Sequence, residues 1–421
     1  MSPVEVNTIA GASTSKTSAR FMMLSVGALA IALAYHIRDA AGNDSITLAV
    51  PAQSVFVSPA SFAVLGNNGT FREDAFAAFN PTGTTPPFFQ IFDAGFLKIL
   101  GPNPSITEIA SNATFAFAHE APIYDAAQDA MFFASNSGGA LGMSDINHNN
   151  QVGRLDLQHL PASLNGTAIN IPVTKLDLPD TVQMTNGGTG PYQGDLLFVN
   201  SGRGPLPPSI VRVNPAAPHN TTVLVDNFFG RQFNSLNDIK VHPSGKIFFT
   251  DTVYGWLNHF RPLPLLPSQV YVLDPTTRQV RVVATDFDKS NGIAFSGDGK
   301  TAFITDTGAV GGFLGTNQTH PATIYAFDVD SKSFAFTNRR IFAYVDTGIP
   351  DGVQVDTDGN VYAGCADGVH VWNAVGTLLG KIFLGVSSAN MAFAGKGRLV
   401  IMAETKVFLA ELATSPSLFT S

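Results

Sequence analysis

The feature that most constrains this chain is a two-strand unit that recurs along most of its length. In each copy a polar residue opens an apolar strand, a turn glycine follows eight positions later, and a second apolar strand comes next. The clearest copy runs from Asn237 through Gly245 to Asp251. Four copies keep the offset of eight: Asn186 with Gly194, Asn237 with Gly245, Asn291 with Gly299, and Asp351 with Gly359.

Two further copies are less regular. Glu120 has Gln128 and Asp129 in the turn position, and the last hairpin begins with Ala389-Asn390, one step out of phase. The copies start near residues 120, 186, 237, 291, 351 and 389, at spacings of 66, 51, 54, 60 and 38 residues. Repeats of this size, built from short strands and Gly or Asp turns, are typical of propeller blades. The sequence therefore predicts an all-β, six-bladed β-propeller, with a solenoid or an open sandwich as the competing architecture.

The two ends of such a ring must be joined. After the last hairpin, residues 406–412 supply one more strand. We expect a strand from residues 88–110 to complete the blade near the C-terminus, because an unpaired edge would otherwise remain. Within this region residues 88–92 and 96–100 could each be a strand. The predicted organisation is an N-terminal segment over 35–110 and a propeller over 111–421.

The first 34 residues have a different character. Residues 21–34 form an uncharged run of 14 behind Lys16 and Arg20. This is short for a membrane span and typical of a signal peptide, although the long leader before it leaves an uncleaved signal anchor as the alternative. Six Asn-X-Ser/Thr sequons agree with a secretory route: Asn43, Asn68, Asn112, Asn165, Asn220 and Asn317. We expect a protein that is secreted, or anchored in the membrane through residues 21–34.

Composition excludes several classes of function. The net charge of −8 and the pI near 5.5 argue against nucleic acid or an anionic membrane surface as a partner. Cys365 is the only cysteine, so an intrachain disulfide and a thiolate zinc site are excluded. Its strand setting predicts a buried structural thiol. No Gly-X-Ser-X-Gly elbow occurs, because residues 142–146 and 385–389 both lack the second glycine.

The recurring polar position points to a metal site. The innermost strands of a propeller line its central channel, so equivalent positions in successive blades meet around one axis. Here those positions hold two carboxylates and three carboxamides: Glu120, Asn186, Asn237, Asn291 and Asp351. Hard oxygen donors with a summed charge of −2 favour Ca²⁺ and tolerate Mg²⁺ or Mn²⁺, and the absence of histidine and cysteine from this set argues against copper. Any one of these residues could merely cap a turn, but turn chemistry gives no reason for the shared offset of eight.

Four segments carry a recognisable resemblance. Glu-Ala-Pro-Ile-Tyr (120–124), Leu-Asn-Asp-Ile (236–239), Ser-Asn-Gly-Ile-Ala-Phe (290–295) and Asp-Gly-Val-Gln-Val-Asp (351–356) are similar to those of the gluconolactonase and regucalcin (senescence marker protein) family, above all its fungal lactonohydrolase branch. Paraoxonases and strictosidine synthases resemble the chain more distantly. The resemblance implies a six-bladed propeller with one divalent cation that hydrolyses lactones. It implies Glu120, Asn291 and Asp351 as metal ligands and Asn237 as the amide beside metal and substrate, while Asn186 is placed by phase alone.

The expected activity is hydrolysis of a small-molecule lactone, of aldono- or pantoyl-lactone type, by metal-activated water. Asp351 is the predicted general base. His119 is the second candidate, although strand alternation would point it away from the face of Glu120. Some family members have an arginine two residues before the Asn237 position, where this chain has Ser235, so a sugar-lactone preference does not carry over.

Two other functions remain open at this point. The first is a non-catalytic propeller that uses a structural calcium ion, or another cation such as Zn²⁺, and binds a ligand or protein on its upper face. The second is an arylesterase or organophosphate hydrolase that uses the same ion. Substrate selection is expected in the loop over residues 253–268, which contains Trp256 and Phe260, and in the loops after residues 136 and 308.

Overall fold

The computed structural model describes residues 6–7, 34–37, 46–395 and 397–417. The first six strands are β1 (Val6–Asn7), β2 (Ala34–Ile37), β3 (Ile46–Ala49), β4 (Ser54–Phe56), β5 (Phe88–Ile91) and β6 (Ser105–Ser111). Strands β1 to β3 form a small antiparallel sheet. The predicted signal segment, residues 21–34, lies outside the described residues except for Ala34. No helix in the described part of the chain is both long and apolar enough to cross a membrane.

Residues 120–411 supply the remaining strands. Blade one contains β7 (Glu120–Asp125), β8 (Ala130–Ala134), β9 (Val152–Asp156) and β10 (Val173–Lys175). Blade two contains β11 (Thr185–Tyr192), β12 (Asp195–Asn200), β13 (Ser209–Val213) and β14 (Thr221–Val225). Blade three contains β15 (Leu236–Val241), β16 (Ile247–Asp251), β17 (Gln269–Leu273) and β18 (Val280–Ala284).

The second half of the ring repeats this plan. Blade four contains β19 (Ser290–Phe295), β20 (Thr301–Asp306), β21 (Thr323–Val329) and β22 (Phe336–Tyr344). Blade five contains β23 (Val353–Val355), β24 (Val361–Cys365), β25 (Gly368–Trp372) and β26 (Leu378–Phe383), and blade six contains β27 (Asn390–Phe393), β28 (Arg398–Ala403) and β29 (Lys406–Glu411). The helices are α1 (Phe96–Leu100) and α2 (Tyr254–Leu257), with 3-10 turns at Pro59–Phe62, Leu157–His159 and Gly312–Leu314.

The recurring unit of the sequence forms the inner hairpin of each blade. The glycines at the eighth position all have positive φ: Gly194, Gly245, Gly299 and Gly359, at 71° to 85°. Glycine reaches this conformation at little steric cost, which explains its use in the turn. The inner strands β7, β11, β15, β19, β23 and β27 contact one another in sequence, and β27 contacts β7. The prediction of an all-β, six-bladed propeller is therefore confirmed.

The N-terminal segment pairs with the last two blades. Strand β6 runs antiparallel to β29 and becomes the outer strand of blade six, so strands from both ends of the ring share one sheet. Strand β5 pairs antiparallel with β26 and extends blade five, and β4 adds to it in parallel. Residues 96–100 are a helix and not the strand that the sequence allowed, because Phe96, Ile99 and Leu100 recur at helical spacing and all three are buried.

The hydrophobic core is divided into six layers that lie between neighbouring blades. The layer between blades five and six also receives α1 and the N-terminal strands. The layer between blades four and five contains Cys365, which is buried and unpaired, as predicted for a structural thiol. A propeller of this kind has no single central core, so its channel is free to carry polar residues.

Two threonines join neighbouring blades near the channel. The Thr250 hydroxyl accepts a hydrogen bond from the Asp238 amide of its own blade at 3.0 Å and donates to the Asn291 carbonyl of the next blade at 2.7 Å. The Thr305 hydroxyl likewise accepts from the Gly292 amide at 2.6 Å and donates to the Asp351 carbonyl at 2.9 Å. Both threonines are fully buried. Each hydroxyl thus fixes the backbone of a polar channel residue.

Replacement of Thr305 by valine should destabilise the protein by about 1–3 kcal/mol, because two buried backbone groups lose their partner. Thr305→Ser, which keeps the hydroxyl, should cost less. Thr337→Val is the matched control, since the Thr337 hydroxyl bonds to a carbonyl in an exposed position. Urea unfolding curves for the three variants measure the difference, and equal midpoints for Thr305→Val and Thr337→Val would contradict the role of the hydroxyl.

Candidate functional site

The polar positions that open the inner strands meet in one pocket of about 310 Å³. The structure brings together all five residues predicted as ligands, and the pocket also receives His119. The five are Glu120, Asn186, Asn237, Asn291 and Asp351. Glu120, Asn237 and Asn291 are almost completely buried, while Asn186 and Asp351 are partly exposed to the pocket.

A glycine follows three of these residues because the next blade approaches too closely for a side chain. A Cβ at Gly187 would lie 2.5 Å from the Asn237 carbonyl oxygen. A Cβ at Gly292 would collide with the Asp351 carbonyl oxygen, and one at Gly352 with the Asn390 side chain. The Asn-Gly and Asp-Gly pairs are therefore not turns in this fold. They let the inner strands converge at the channel mouth.

Blade six contributes a residue that sequence reasoning missed. Asn390 opens β27, is buried, and donates from Nδ2 to Glu120 Oε2 at 2.8 Å. The turn glycine of this blade, Gly397, follows after seven residues and not eight. The turn itself is not shorter, because Ala394 bonds to Arg398 across it as His242 bonds to Lys246 in blade three. The inner strands of blades one to four have a register shift at the polar residue and β27 has none, which explains why Asn390 is out of phase. The polar ring therefore has a member in every blade.

Three ionisable side chains lie close together in the pocket. The ligand atoms of His119, Glu120 and Asp351 all lie within 4.8 Å of one another. The expectation that alternation turns His119 away from Glu120 is wrong. His119 precedes β7, which begins at Glu120, so it does not belong to the strand over which alternation applies. The β7–β8 pairing also shifts register directly after Glu120, where Ala121 takes a φ of 55°.

Glu404 and Asn136 hold His119 in place. His119 Nδ1 lies 2.6 Å from Glu404 Oε1, and Asn136 Nδ2 donates to Glu404 Oε2 at 3.0 Å. Burial lowers the pKa of His119, but the Glu404 carboxylate outweighs this effect and raises the pKa to about 10. Glu404 lies in the turn between β28 and β29 and Asn136 follows β8, so no local pattern in the sequence links either residue to the site.

The carboxylates resist ionisation in the absence of a cation. Burial and the neighbouring Asp351 carboxylate raise the pKa of Glu120 well above its usual range. Burial also raises the pKa of Asp351 to about 6, although the charge of His119 acts in the opposite direction. Burial raises the pKa of Asp238, whose carboxylate accepts hydrogen bonds from the backbone amides of Ile239 and Ile293. Like charges held together in a buried site favour protonation or a bound cation.

Two buried oxygens identify where a cation would fit. Of the side-chain atoms of the described residues that line the pocket, Asn237 Oδ1 and Asp351 Oδ1 are buried and have no hydrogen-bond partner. Asn186 donates from Nδ2 to the Asn237 carbonyl at 3.0 Å, which fixes the orientation of the Asn186 amide. Unpaired buried oxygens are costly, and coordination of a hard cation removes that cost. The donor set of carboxylate and amide oxygens therefore fits a divalent ion such as Ca²⁺.

The structure explains the serine at the position where some relatives have arginine. Ser235 is buried, and its hydroxyl accepts a hydrogen bond from the Gly255 amide of α2 at 3.0 Å. Ser235 therefore holds α2 and does not line the pocket. From the loop over 253–268, Tyr254 and Asn258 line the pocket, whereas Phe260 is buried in the protein.

This combination of fold and site defines a class: a six-bladed propeller with an oxygen-rich, buried cluster at the mouth of its channel. The sequence profile described as SMP-30/Gluconolactonase/LRE-like region matches residues 119–404. The chain belongs to this family, and the resemblance seen in the four sequence segments is confirmed.

Similarity to individual proteins agrees with this assignment. The lactonohydrolase oryL of Aspergillus oryzae is 27% identical over 343 residues, which cover 74% of this chain and 73% of that protein. A gluconolactonase from Xanthomonas campestris shares the fold with a TM-score of 0.58 at 24% identity, over 77% of this chain and 94% of that one. The calcium-binding protein regucalcin from Agrobacterium tumefaciens gives a TM-score of 0.53 at 16% identity, over 75% and 99% of the two chains.

In chelator-treated protein, Asp351→Asn should increase stability at pH 7.5. Because folding raises the pKa of Asp351 from its usual value to about 6, the folded state binds more protons than the unfolded state between about pH 4 and pH 6. Stability is therefore lost as the pH rises through this window, and the asparagine variant avoids that loss. The expected gain at pH 7.5 is on the order of 1–3 kcal/mol, and it should shrink toward zero near pH 4.

Urea unfolding at the two pH values measures this difference. The matched control is Asp358→Asn, because Asp358 is exposed and remote from the pocket. A variant at Asp351 that is less stable than wild type at pH 7.5, under chelation, would show that the carboxylate is not strained in the cation-free site.

Proposed function

We propose that this protein hydrolyses a lactone with the help of a divalent cation bound at the pocket. The observation that carries the proposal is the convergence of six inner strands on one cluster of oxygens, two of which are buried and unpaired. The names of related proteins, lactonohydrolase and gluconolactonase, support lactones as the substrate class. The name of regucalcin, a calcium-binding protein, supports Ca²⁺ as the ion.

Glu120, Asn291 and Asp351 are the proposed ligands of the cation, with Asn237 and Asn186 completing the oxygen set. All five are oxygen donors, which favours Ca²⁺ over softer metals, while His119 beside them keeps Mn²⁺ and Zn²⁺ as alternatives. A bound divalent cation supplies polarisation of the lactone carbonyl and a lower pKa for an attacking water. Asn390 keeps Glu120 oriented through their hydrogen bond.

Asp351 is the proposed general base. Its carboxylate lies in the pocket with one oxygen free of protein partners, so it can accept a proton from the water that attacks the lactone carbonyl. His119 is engaged at Nδ1 by Glu404, which leaves Nε2 for the pocket. We assign His119 to protonation of the ring oxygen as the carbon–oxygen bond breaks. One lactone and one water thus give one hydroxy acid.

Hydrolysis of a panel of lactones, with and without chelator, tests the proposal. The metal-replete protein should turn over at least one lactone, chelation should remove the activity, and Ca²⁺ should restore it. Asp351→Ala should lower kcat by at least about 100-fold, the loss expected for a general base. Val375→Ser is the control, because Val375 is exposed and outside the pocket. A folded, metal-replete protein that opens no lactone, yet binds Ca²⁺, would identify a non-catalytic propeller.

We also propose that the protein enters the secretory pathway, as its sequons suggest. The five sequon asparagines within the described residues are all exposed: Asn68, Asn112, Asn165, Asn220 and Asn317. In two of them, Asn112 and Asn317, the side-chain oxygen accepts hydrogen bonds from the backbone amide and hydroxyl of the sequon threonine. Their side chains are thus free of the core and open to modification.

Protein produced in a eukaryotic host that performs N-glycosylation should lose mass on treatment with an N-glycan-cleaving amidase. Asn112→Gln and Asn317→Gln should each lower the mass by one glycan, while the exposed Asn338, which is outside any sequon, provides the control position. Mass spectrometry of the intact protein measures the change. Unmodified asparagine at all five positions would contradict the secretory route.

A further inference from the structure

One side of the pocket mouth is built from α2 and the turn over Gly312–Leu314. Tyr254 and Asn258 line the pocket from the α2 side, and Val310 and Gly312 line it from blade four. The two elements are in contact, since a Cβ at Gly312 would lie 2.8 Å from Leu257 Cβ. The α2 side is anchored by Ser235 and by Arg261, whose guanidinium bonds to the carbonyls of Gly204 and Leu206. The wall is therefore a fixed part of the site.

This wall carries an aromatic cluster at its outer edge. The Phe313 ring stacks on His259 with 4.5 Å between ring centroids and meets Trp256 edge-on at 5.2 Å. Phe313 is nevertheless 49% exposed, and the adjacent Leu314 is 66% exposed. Both apolar side chains are thus exposed to water next to Gly312, which lines the pocket.

A second loop at the mouth, which packs against Asn258 and Phe260 through Gly138, also exposes apolar side chains. Gly138 and Gly139 line the pocket, and the same loop continues to Leu141, Met143 and Ile146, which are 53%, 56% and 49% exposed. The loop is tied to its neighbour, because Arg203 donates to the Ile146 carbonyl at 2.8 Å. We call Leu141, Met143, Ile146, Phe313 and Leu314 the apolar rim. An exposed apolar surface that flanks a polar pocket is typical of a ligand-binding groove.

Positively charged partners for an anionic substrate are scarce in this pocket. Among the described residues that line it, His119 is the only one with a side chain that carries positive charge. The guanidinium groups of Arg203 and Arg261, which lie in the loops of this face, are bonded to backbone carbonyls and to glutamine side-chain oxygens. Ser235 replaces the arginine of some relatives and is buried behind α2.

We infer that the substrate is a lactone whose ring carries an apolar substituent, alkyl or aryl, which lies against the apolar rim while the ester group occupies the pocket. The inference rests on the proposed function and adds the substrate class. Contact with the rim removes apolar surface of both substituent and protein from water, and this stabilises the bound substrate and its transition state. A polyhydroxylated lactone gains nothing from the rim.

The test compares three lactones of one ring size: δ-valerolactone without a substituent, δ-decalactone with a pentyl chain, and glucono-δ-lactone with hydroxyl groups. With Ca²⁺ present, kcat/KM for δ-decalactone should exceed that for δ-valerolactone by about tenfold or more, since even partial burial of the pentyl chain removes several methylene groups from water. A glucono-δ-lactone rate equal to or above the δ-decalactone rate would overturn the inference.

The rim itself is tested by Phe313→Ser. This variant should lower kcat/KM for δ-decalactone about fivefold or more, mainly through KM, and leave δ-valerolactone unchanged. Val375→Ser is the control, because Val375 is 84% exposed and outside the pocket. Equal effects of Phe313→Ser on both lactones would overturn the inference while the proposed function stands. Failure to hydrolyse any of the three, in metal-replete protein, would remove the proposed function and the inference with it.

Discussion

The structure depends on the close approach of six strands at one end of a channel. Gly187, Gly292 and Gly352 have no room for a Cβ, because the backbone or side chain of the next blade fills that space. Thr250 and Thr305 bind the carbonyls of the converging residues and fix their spacing. This packing places carboxylates and carboxamides from different blades within one pocket, so the fold creates the site directly.

That convergence has an electrostatic cost. Burial raises the pKa of both Glu120 and Asp351; the Asp351 carboxylate adds to the rise at Glu120, and the Glu404 and Asp238 carboxylates add to the rise at Asp351. A protein selected for stability alone would gain by neutralising one of them, since like charges in a buried site destabilise the folded state. Retention of both carboxylates, with unpaired oxygens on Asp351 and Asn237, is the physical basis for proposing that a cation resides there.

The polar positions that recur with the inner hairpins could be predicted from the sequence. The offset from a polar residue to a turn glycine identified four positions of the pocket, and Glu120 was found through a looser version of the same unit, because similar hairpins place equivalent residues at the same height. The same reasoning failed for Asn390, because β27 lacks the register shift that the inner strands of blades one to four have, and for His119, which precedes β7. A fixed offset describes hairpins of one geometry, and these two residues lie outside that geometry.

Other features of the site depend on tertiary contacts that have no local signature. Glu404 contacts His119 from a turn that lies 285 positions away in the chain. Ser235 could be read as a departure from relatives, but only the structure shows that α2 covers it. The apolar rim combines residues from two loops, and no local pattern in the sequence indicates that both loops reach the same pocket. The residues expected to select the substrate are therefore brought together by tertiary contacts and not by any local sequence pattern.

The central claim is that the polar ring binds one divalent cation. Anomalous diffraction from crystals soaked in MnCl₂ tests it most directly, since Mn²⁺ scatters anomalously and accepts the same oxygen ligands. We expect one strong peak within coordination distance of Glu120, Asn291 and Asp351, and we expect it to disappear in crystals of Asp351→Ala. An empty pocket at saturating Mn²⁺, or a peak elsewhere on the protein alone, would contradict it.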